Sequence, residues 1–314
     1  MSEENKIIGP HGHDFTDLAN CLRSFSGERL VYLPNPGNAG DALIALGTYK
    51  FFDFLGLDVE IGDREKSYDG RVVIYAGNGN LIPNYTQAAE CLQRNHKLAK
   101  NLIVLPSTIR AYPDLISGMG GNCHIFAREQ STLDYIESNR TKAEVTLSHD
   151  LAFFMDDTSI RQSNWDSKFL LEDGRWWTWL KMAVKFSLLA RSSEPTLSAL
   201  RIDSEATDVD RPDRNHDLSH YFTTRDMLEG KMDPDICATT IKMMRFLMVQ
   251  HKKIRTNRLH LAILGAISGI EVEMLPNSYD KNVSIYDHSI TDFFPNVAFM
   301  RQSEGEQRIE SSSA

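Results

Sequence analysis

The 314-residue sequence is poor in cysteine: it has four, Cys21, Cys91, Cys123 and Cys237, with no C-x-x-C pair and no Cys/His ligand spacing. That scatter excludes a disulfide scaffold and a zinc knuckle and fits reduced thiols in a cytosol, so no metal is expected. Long apolar runs are also missing. No stretch approaches the ~20 residues that cross a bilayer, and the opening MSEENKIIGPHGHDF lacks the basic-then-apolar layout of a secretory signal. A cytoplasmic protein is therefore expected. Neither G-x-G-x-x-G nor G-x-x-x-x-G-K-[ST] occurs, which leaves both familiar nucleotide-phosphate loops unsupported. Positive charge is in deficit, with 34 Lys and Arg against 43 Asp and Glu and a net charge of −9. That balance argues against a nucleic-acid partner, while local basic clusters remain free to bind anions.

What is present is enough apolar material for a large core, 41% of residues, in a length that favours two domains. Short β-rich runs alternate with helical patterns, the signature of an α/β fold. The pattern predicts strands at 30–33, 72–76, 102–105, 124–127 and 145–148, then at 197–203, 252–255 and 272–275. Helices are expected at 42–55, 85–100, 132–138, 235–250 and 259–268. Pro234 after Asp233 suits a first-turn proline behind an N-cap. Near-continuous apolar strands such as LIVLP point to parallel sheets covered on both faces. The alternation breaks near 156–195, giving an expected N-terminal domain at 1–160, a linking helical segment at 161–195, a C-terminal domain at 196–301 and a polar tail at 302–314.

Ligands of open α/β sheets bind at the carboxyl ends of the strands. Those ends carry Asn35-Pro-Gly-Asn-Ala-Gly-Asp41, Gly77-Asn-Gly-Asn80, Pro106-Ser-Thr108, Arg128-Glu-Gln-Ser131 and His149-Asp150. The rim is thus polar and rich in glycine, with Asn38, Gly40, Asn78, Asn80, Ser107 and Ser131 as candidate substrate contacts. Asp41 reads as the N-cap of the helix at 42, and Gly37 and Gly40 as positions that need positive φ or close backbone approach. A well-made turn without chemistry is the competing reading. In KKIRTNRLHLAILG, a cap at Thr256 or Asn257 places Arg258 and His260 in a first helical turn, where free N–H groups already favour an anion. With Arg128 at the corresponding place in the first half, two cationic strand ends suit a small substrate with two or three negative charges. Arg201, Asp203 and Glu205 alternate along a presumed strand and share one face, as substrate contacts or as a structural ion-pair network.

The ordered set GNAGDALI, GNGN, FAREQSTLDYI, LSHDLAFFM, LRIDSEA, NRLHLAILGAISGIEVEMLP and the region of Lys281 and YDH resembles the polysaccharide pyruvyl transferases, over roughly residues 28–290. One departure is the turn Gly77-Asn78-Gly79-Asn80, where the family often has consecutive glycines; asparagine tolerates left-handed backbone. The resemblance implies two facing Rossmann-like domains, similar to the GT-B glycosyltransferases, with a cleft between them. It implies transfer of the pyruvyl group of phosphoenolpyruvate to two hydroxyls of one sugar, closing a cyclic ketal and releasing phosphate. The acceptor it implies is a sugar of a bacterial polysaccharide precursor, often lipid-linked, and it calls for no cofactor. Carried over by motif, Arg258 and Arg128 bind the phosphate and carboxylate, with Arg201 and Lys281 as further contacts. His260 is the acid or the group that stabilises departing phosphate, and Asp41 takes the hydroxyl proton or holds the sugar.

Two stretches stand apart. GRWWTWLKMAVKFSLLAR, read as a helix, is aromatic and cationic, which suits either a core-packed interdomain helix or a peripheral contact at the inner face of a membrane. HGHD at 11–14 is expected in a flexible N-terminal segment rather than at a metal. A nucleotide-sugar glycosyltransferase of the same architecture and a non-catalytic scaffold of polymer synthesis are the alternatives; the first requires a nucleoside diphosphate site and the second requires neither ligand.

Overall fold

The structure is a computed structural model that describes residues 6–163, 175–190, 196–203, 206 and 211–301. It contains two parallel sheets. The larger has six strands in the order β2-β1-β3-β4-β5-β6, formed by Leu30–Leu33 (β1), Val59–Ile61 (β2), Val72–Tyr75 (β3), Asn101–Ser107 (β4), Cys123–Ala127 (β5) and Glu144–Leu147 (β6). The smaller runs β10-β9-β8-β7, from Thr196–Ser198 (β7), Lys253–Thr256 (β8), Glu271–Met274 (β9) and Val297–Phe299 (β10). Every ladder is parallel. The central strands LVYL, VVIY and CHIFA are buried almost throughout, as parallel strands covered on both faces must be.

Strand order reverses at β1: the chain goes from β1 out to β2 and returns on its other side to β3. A reversal of this kind opens a crevice between the carboxyl ends of the two diverging strands. The NPGNAGD and GNGN turns follow β1 and β3, so the fold places both at that crevice.

Helix Asp41–Leu55 is apolar nearly all round. It packs against helix Pro234–Met248 and the short 3₁₀ turn Leu151–Phe154, and its contact with the turn is close enough that a Cβ at Gly47 would lie 2.0 Å from the Leu151 carbonyl. One apolar cluster includes Leu43, Phe51 and Ile103 together with Ile241, Leu247 and Ile263, so side chains associated with both sheets share a core. Fully burying each such Leu or Phe contributes roughly 1.5–3 kcal/mol. Asp233 caps the helix at Pro234 as expected, accepting the N–H groups of Asp235 and Ile236 at 2.9 and 3.4 Å.

Three expectations change. The strand at 197–203 ends at Ser198. Beyond it, the Asn215 and Asn257 side-chain oxygens take the N–H groups of Leu200 and Arg201, and Asp217 takes that of Ile202. With its donors satisfied by side chains, this segment needs no strand partner. The helix expected at 85–100 is confined to Gln87–Asn95, where Asn95 turns its amide back to the Cys91 carbonyl and accepts the Tyr68 N–H. HGHD is not a loose segment. It closes through an Ile8–Asp14 bridge, and His13 is fully buried between Phe153 and Phe293 with Nε2 2.8 Å from the Ser289 carbonyl. Periodicity is blind to edge strand β2, the 3₁₀ turn and helix Lys281–Ser289. Glu205, the expected polar tail and residues 164–174 lie outside the described residues.

Candidate active site

A cavity of about 650 Å³ lies where strand ends of both sheets meet, a volume in the range of small-molecule sites. Its lining contains His260, Asp41, Asn38, Gly40, Asn78, Asn80, Arg128, Arg201, Arg258 and Lys281. Two expected contacts are not in the lining. Ser107 is fully buried, donates to the Leu105 carbonyl and accepts the Asn78 N–H, so it braces the turn from behind. Ser131 bonds the Arg110 guanidinium and the Ser284 hydroxyl, linking helix Gln130–Ser138 to helix Lys281–Ser289.

The turn after β1 is built by side chains folding back on backbone. Asp41 is the first residue of its helix, not the cap; Gly40 holds that place, and the Asp41 carboxylate accepts the Asn38 N–H at 2.8 Å. Asn38 in turn accepts the Gly40 N–H at 2.7 Å. The glycines are needed for close approach rather than positive φ. A Cβ on Gly37 would fall 2.2 Å from the Asp41 carboxylate, and one on Gly40 would meet the Asn38 amide at 2.9 Å and the His260 Cβ at 3.3 Å. The turn after β3 follows the same logic: Gly77 lies against the Pro106 carbonyl and Gly79 against the Arg128 guanidinium, at 2.5 and 2.8 Å from an added Cβ. Asn78 supports this turn by accepting the Asn80 N–H at 3.0 Å, and its carbonyl accepts the Thr108 N–H at 2.8 Å.

The cations arrive already paired. Arg128, only 1% exposed, donates through Nε to Thr108 at 2.9 Å and through Nη1 to Asp150 at 2.6 Å. Asp150 also caps the 3₁₀ turn through the Ala152 N–H, and its Oδ2 is 3.5 Å from Nε2 of His260. Burial alone would raise the Asp150 pKa. His260 and the Arg128 charge overcome that and hold it well below the usual carboxylate range. Arg258 sets Nε and Nη2 against the two oxygens of Asp217 at 3.0 and 2.5 Å, and Nη2 also lies 2.9 Å from Asp203. Arg201 grips Asp203 at 2.8 and 3.1 Å, so Arg201 and Asp203 meet each other instead of lining one face of a strand. Buried guanidinium groups need such partners, since an isolated buried charge is costly.

His260 stands between the two halves of the cavity wall. Its helix, Leu259–Ile267, begins behind Arg258, which occupies the cap position while Thr256 accepts the Arg258 N–H at 3.0 Å. Nδ1 of His260 faces Gly40, and Nε2 has no hydrogen bond within normal geometry, Asp150 being slightly too far. Catalytic contacts are commonly loose before substrate binds. Two other buried lining atoms lack partners among the described residues, Oδ1 of Asn80 and Oγ of Ser219.

Sequence reading missed Asp150 and Asp217 as members of the site. Asp150 had a signal, as the last residue of LSHD at the carboxyl end of β6. Asp217 had only its capping pattern before LSHYF, where it accepts the His220 N–H. No group of His, Cys, Asp or Glu able to hold a metal occurs among the described residues, and no helix among them is long and apolar enough to cross a membrane.

A solved structure described as a functional uncharacterized protein from Klebsiella pneumoniae is similar, with a TM-score of 0.70 and 27% identity over 91% of this chain and 98% of that one. Among curated proteins there is no match. The family model for polysaccharide pyruvyl transferase matches residues 38–279, a span that holds Gly40, Asp41, the GNGN turn, Arg128, Asp150, Arg258 and His260. The chain belongs to the polysaccharide pyruvyl transferase family, which implies a transferase that moves a pyruvyl group in polysaccharide formation.

Proposed function

We propose that the donor is phosphoenolpyruvate and that the chain joins its pyruvyl group as a cyclic ketal to two hydroxyls of one sugar, in a lipid-linked bacterial polysaccharide precursor. The observation that carries this reading is the grouping of Arg128, Arg201, Arg258 and Lys281 around His260 in one cavity. A phosphate and a carboxylate on a three-carbon acid call for such a set, and bidentate guanidinium groups suit both. The two sheets would act as facing domains with the donor held between them, and no cofactor is required.

The protons balance as follows. Protonated His260 gives its proton to the methylene carbon of phosphoenolpyruvate, leaving an oxocarbenium-like centre at C2. The first sugar hydroxyl attacks C2 and its proton returns to His260, directly or by way of Asp41. The C2–O bond to phosphate breaks while the arginines stabilise the leaving anion. The second hydroxyl closes the ring and its proton leaves with phosphate. Asp150 touches no reacting atom in this scheme; it orients the imidazole and stabilises its cationic form.

Titration with phosphoenolpyruvate by calorimetry tests the donor. Binding is expected, with loss in Arg258→Ala, and stabilisation by UDP or GDP in its place would make the glycosyltransferase the better reading. In Asp150→Asn the ionic contact to the imidazole at 3.5 Å is lost, and turnover should fall about 10- to 100-fold, each tenfold being about 1.4 kcal/mol of barrier. A lower kcat with KM little changed is expected, and unchanged turnover would leave Asp150 a purely structural residue.

A further inference from the structure

Helix Arg175–Ala190 shows two unlike faces. Ala183 and Phe186 are buried, Phe186 against His216 and His251, and Trp179 rests on Phe246 of helix Pro234–Met248. The other face carries Trp177, Leu180, Val184 and Leu188, which are 52%, 39%, 54% and 61% exposed. These residues recur at three- and four-residue spacing and so form one stripe along the helix. Lys181 and Lys185 are exposed on the same face, and the sequence from 175 to 190 contains no acidic residue. The helix is thus a locally positive, apolar element in a chain of net charge −9.

We infer that this face docks on an anionic membrane surface, with Trp177, Leu180, Val184 and Leu188 entering the headgroup boundary and Lys181 and Lys185 lying among lipid phosphates. Charge complementarity selects the occupant. An uncharged apolar partner has no use for the two lysines, and a second copy of this acidic chain would bring the same positive face against itself. A helix of mixed apolar and lysine character without acids is the arrangement that lies in an interface plane, and tryptophan is enriched at that depth. The stripe is only about three turns long, so binding is reversible rather than anchoring. The inference stands on the helix face and is independent of the transfer chemistry, though a lipid-linked acceptor would give it a use.

The test is flotation of the full chain with vesicles of phosphatidylcholine alone and with 30 mol% (about one third) phosphatidylglycerol, without phosphoenolpyruvate or acceptor. Binding to the anionic vesicles is expected, weakened by salt, with a blue shift of tryptophan emission. Each lysine near an anionic surface strengthens binding by about fivefold, so Lys181→Glu with Lys185→Glu should abolish the preference for phosphatidylglycerol. Leu180→Glu with Leu188→Glu should lose flotation altogether; both positions are exposed, and an unchanged melting temperature confirms the fold. No flotation of the wild type would overturn the inference, as would flotation unaffected by either pair of substitutions. A wild-type dimer in sedimentation that the leucine variant dissolves would assign the face to a second copy instead.

Discussion

The two walls of the cavity are made by the same device, turns at the carboxyl ends of parallel strands, yet they hold different chemistry. The wall after the six-stranded sheet is mostly amides and glycines folded onto backbone, as in Asp41 to Asn38 and Asn38 to Gly40. The arginine it brings to the lining among the described residues, Arg128, is sealed between Thr108 and Asp150. The wall after the four-stranded sheet carries Arg201, Arg258, His260 and Lys281. A strand reversal separates β1 from β3 in the first sheet, whereas the second sheet steps in one direction from β7 to β10. Under the proposed function, the sugar would lie along the first wall and the donor anion would be held mainly by the second, with Arg128 reaching it from the first.

Removing the imidazole should have the largest effect. His260→Ala is expected to lower turnover about 10²- to 10⁴-fold with little change in melting temperature, and normal turnover would remove the acid role. Next comes the sealed arginine. Arg128→Ala strands Asp150 as a buried charge, and breaking such a pair costs about 3–5 kcal/mol. The melting temperature should fall sharply before any question of binding arises. Arg128→Lys, which keeps the charge but not the fork, should recover part of that stability; if alanine is tolerated as well as lysine, the first wall does not depend on its ion pair.

Acid tests the seam between the walls. His13 and His149 bond the Ser289 carbonyl and hydroxyl at 2.8 Å, and His288, stacked on His149 at 4.5 Å, bonds the Ser148 carbonyl at 3.0 Å. Burial, reinforced by the neighbouring imidazoles, pushes His13 down to about 4 and His149 down to about 3. Their unfolded values lie near 6.5, so the unfolded chain binds protons first, and stability present above that pH is lost as pH falls toward 4. For His13 the linked loss is on the order of 3 kcal/mol. Thermal denaturation from pH 7 to 4 should show a fall that His13→Asn reduces; an unchanged slope would mean that the seam does not titrate. The smallest expected effect is at the contact of the two walls. Gly40→Ala inserts a Cβ 3.3 Å from that of His260, an overpacking of about 1–3 kcal/mol that should lower turnover more than binding of phosphoenolpyruvate. Equal loss of both would place Gly40 in the donor site instead.

Much of this was legible early. The α/β alternation and most strands followed from runs such as LVYL and LIVLP, since a strand buried on both faces leaves a continuous apolar mark. Turns at strand ends were legible from their glycines and asparagines. The end of the 197–203 strand at Ser198 was not, because the side chains of Asn215 and Asn257 satisfy the backbone beyond it from outside the segment and leave no local trace. Asp217 was hidden for a similar reason: its partner Arg258 is 41 residues away. HGHD looked like a loose end because burial by Phe153 and Phe293 is a property of remote residues.

Local spacing thus determined which residues end strands and open helices, since backbone geometry fixes the periods of apolar residues and the chemistry of turns. Only the tertiary structure decided which carboxylate faces which arginine and that His260 lies between Gly40 and Asp150. Those choices are electrostatic and steric contacts between strand ends far apart in the chain, and no local pattern encodes them.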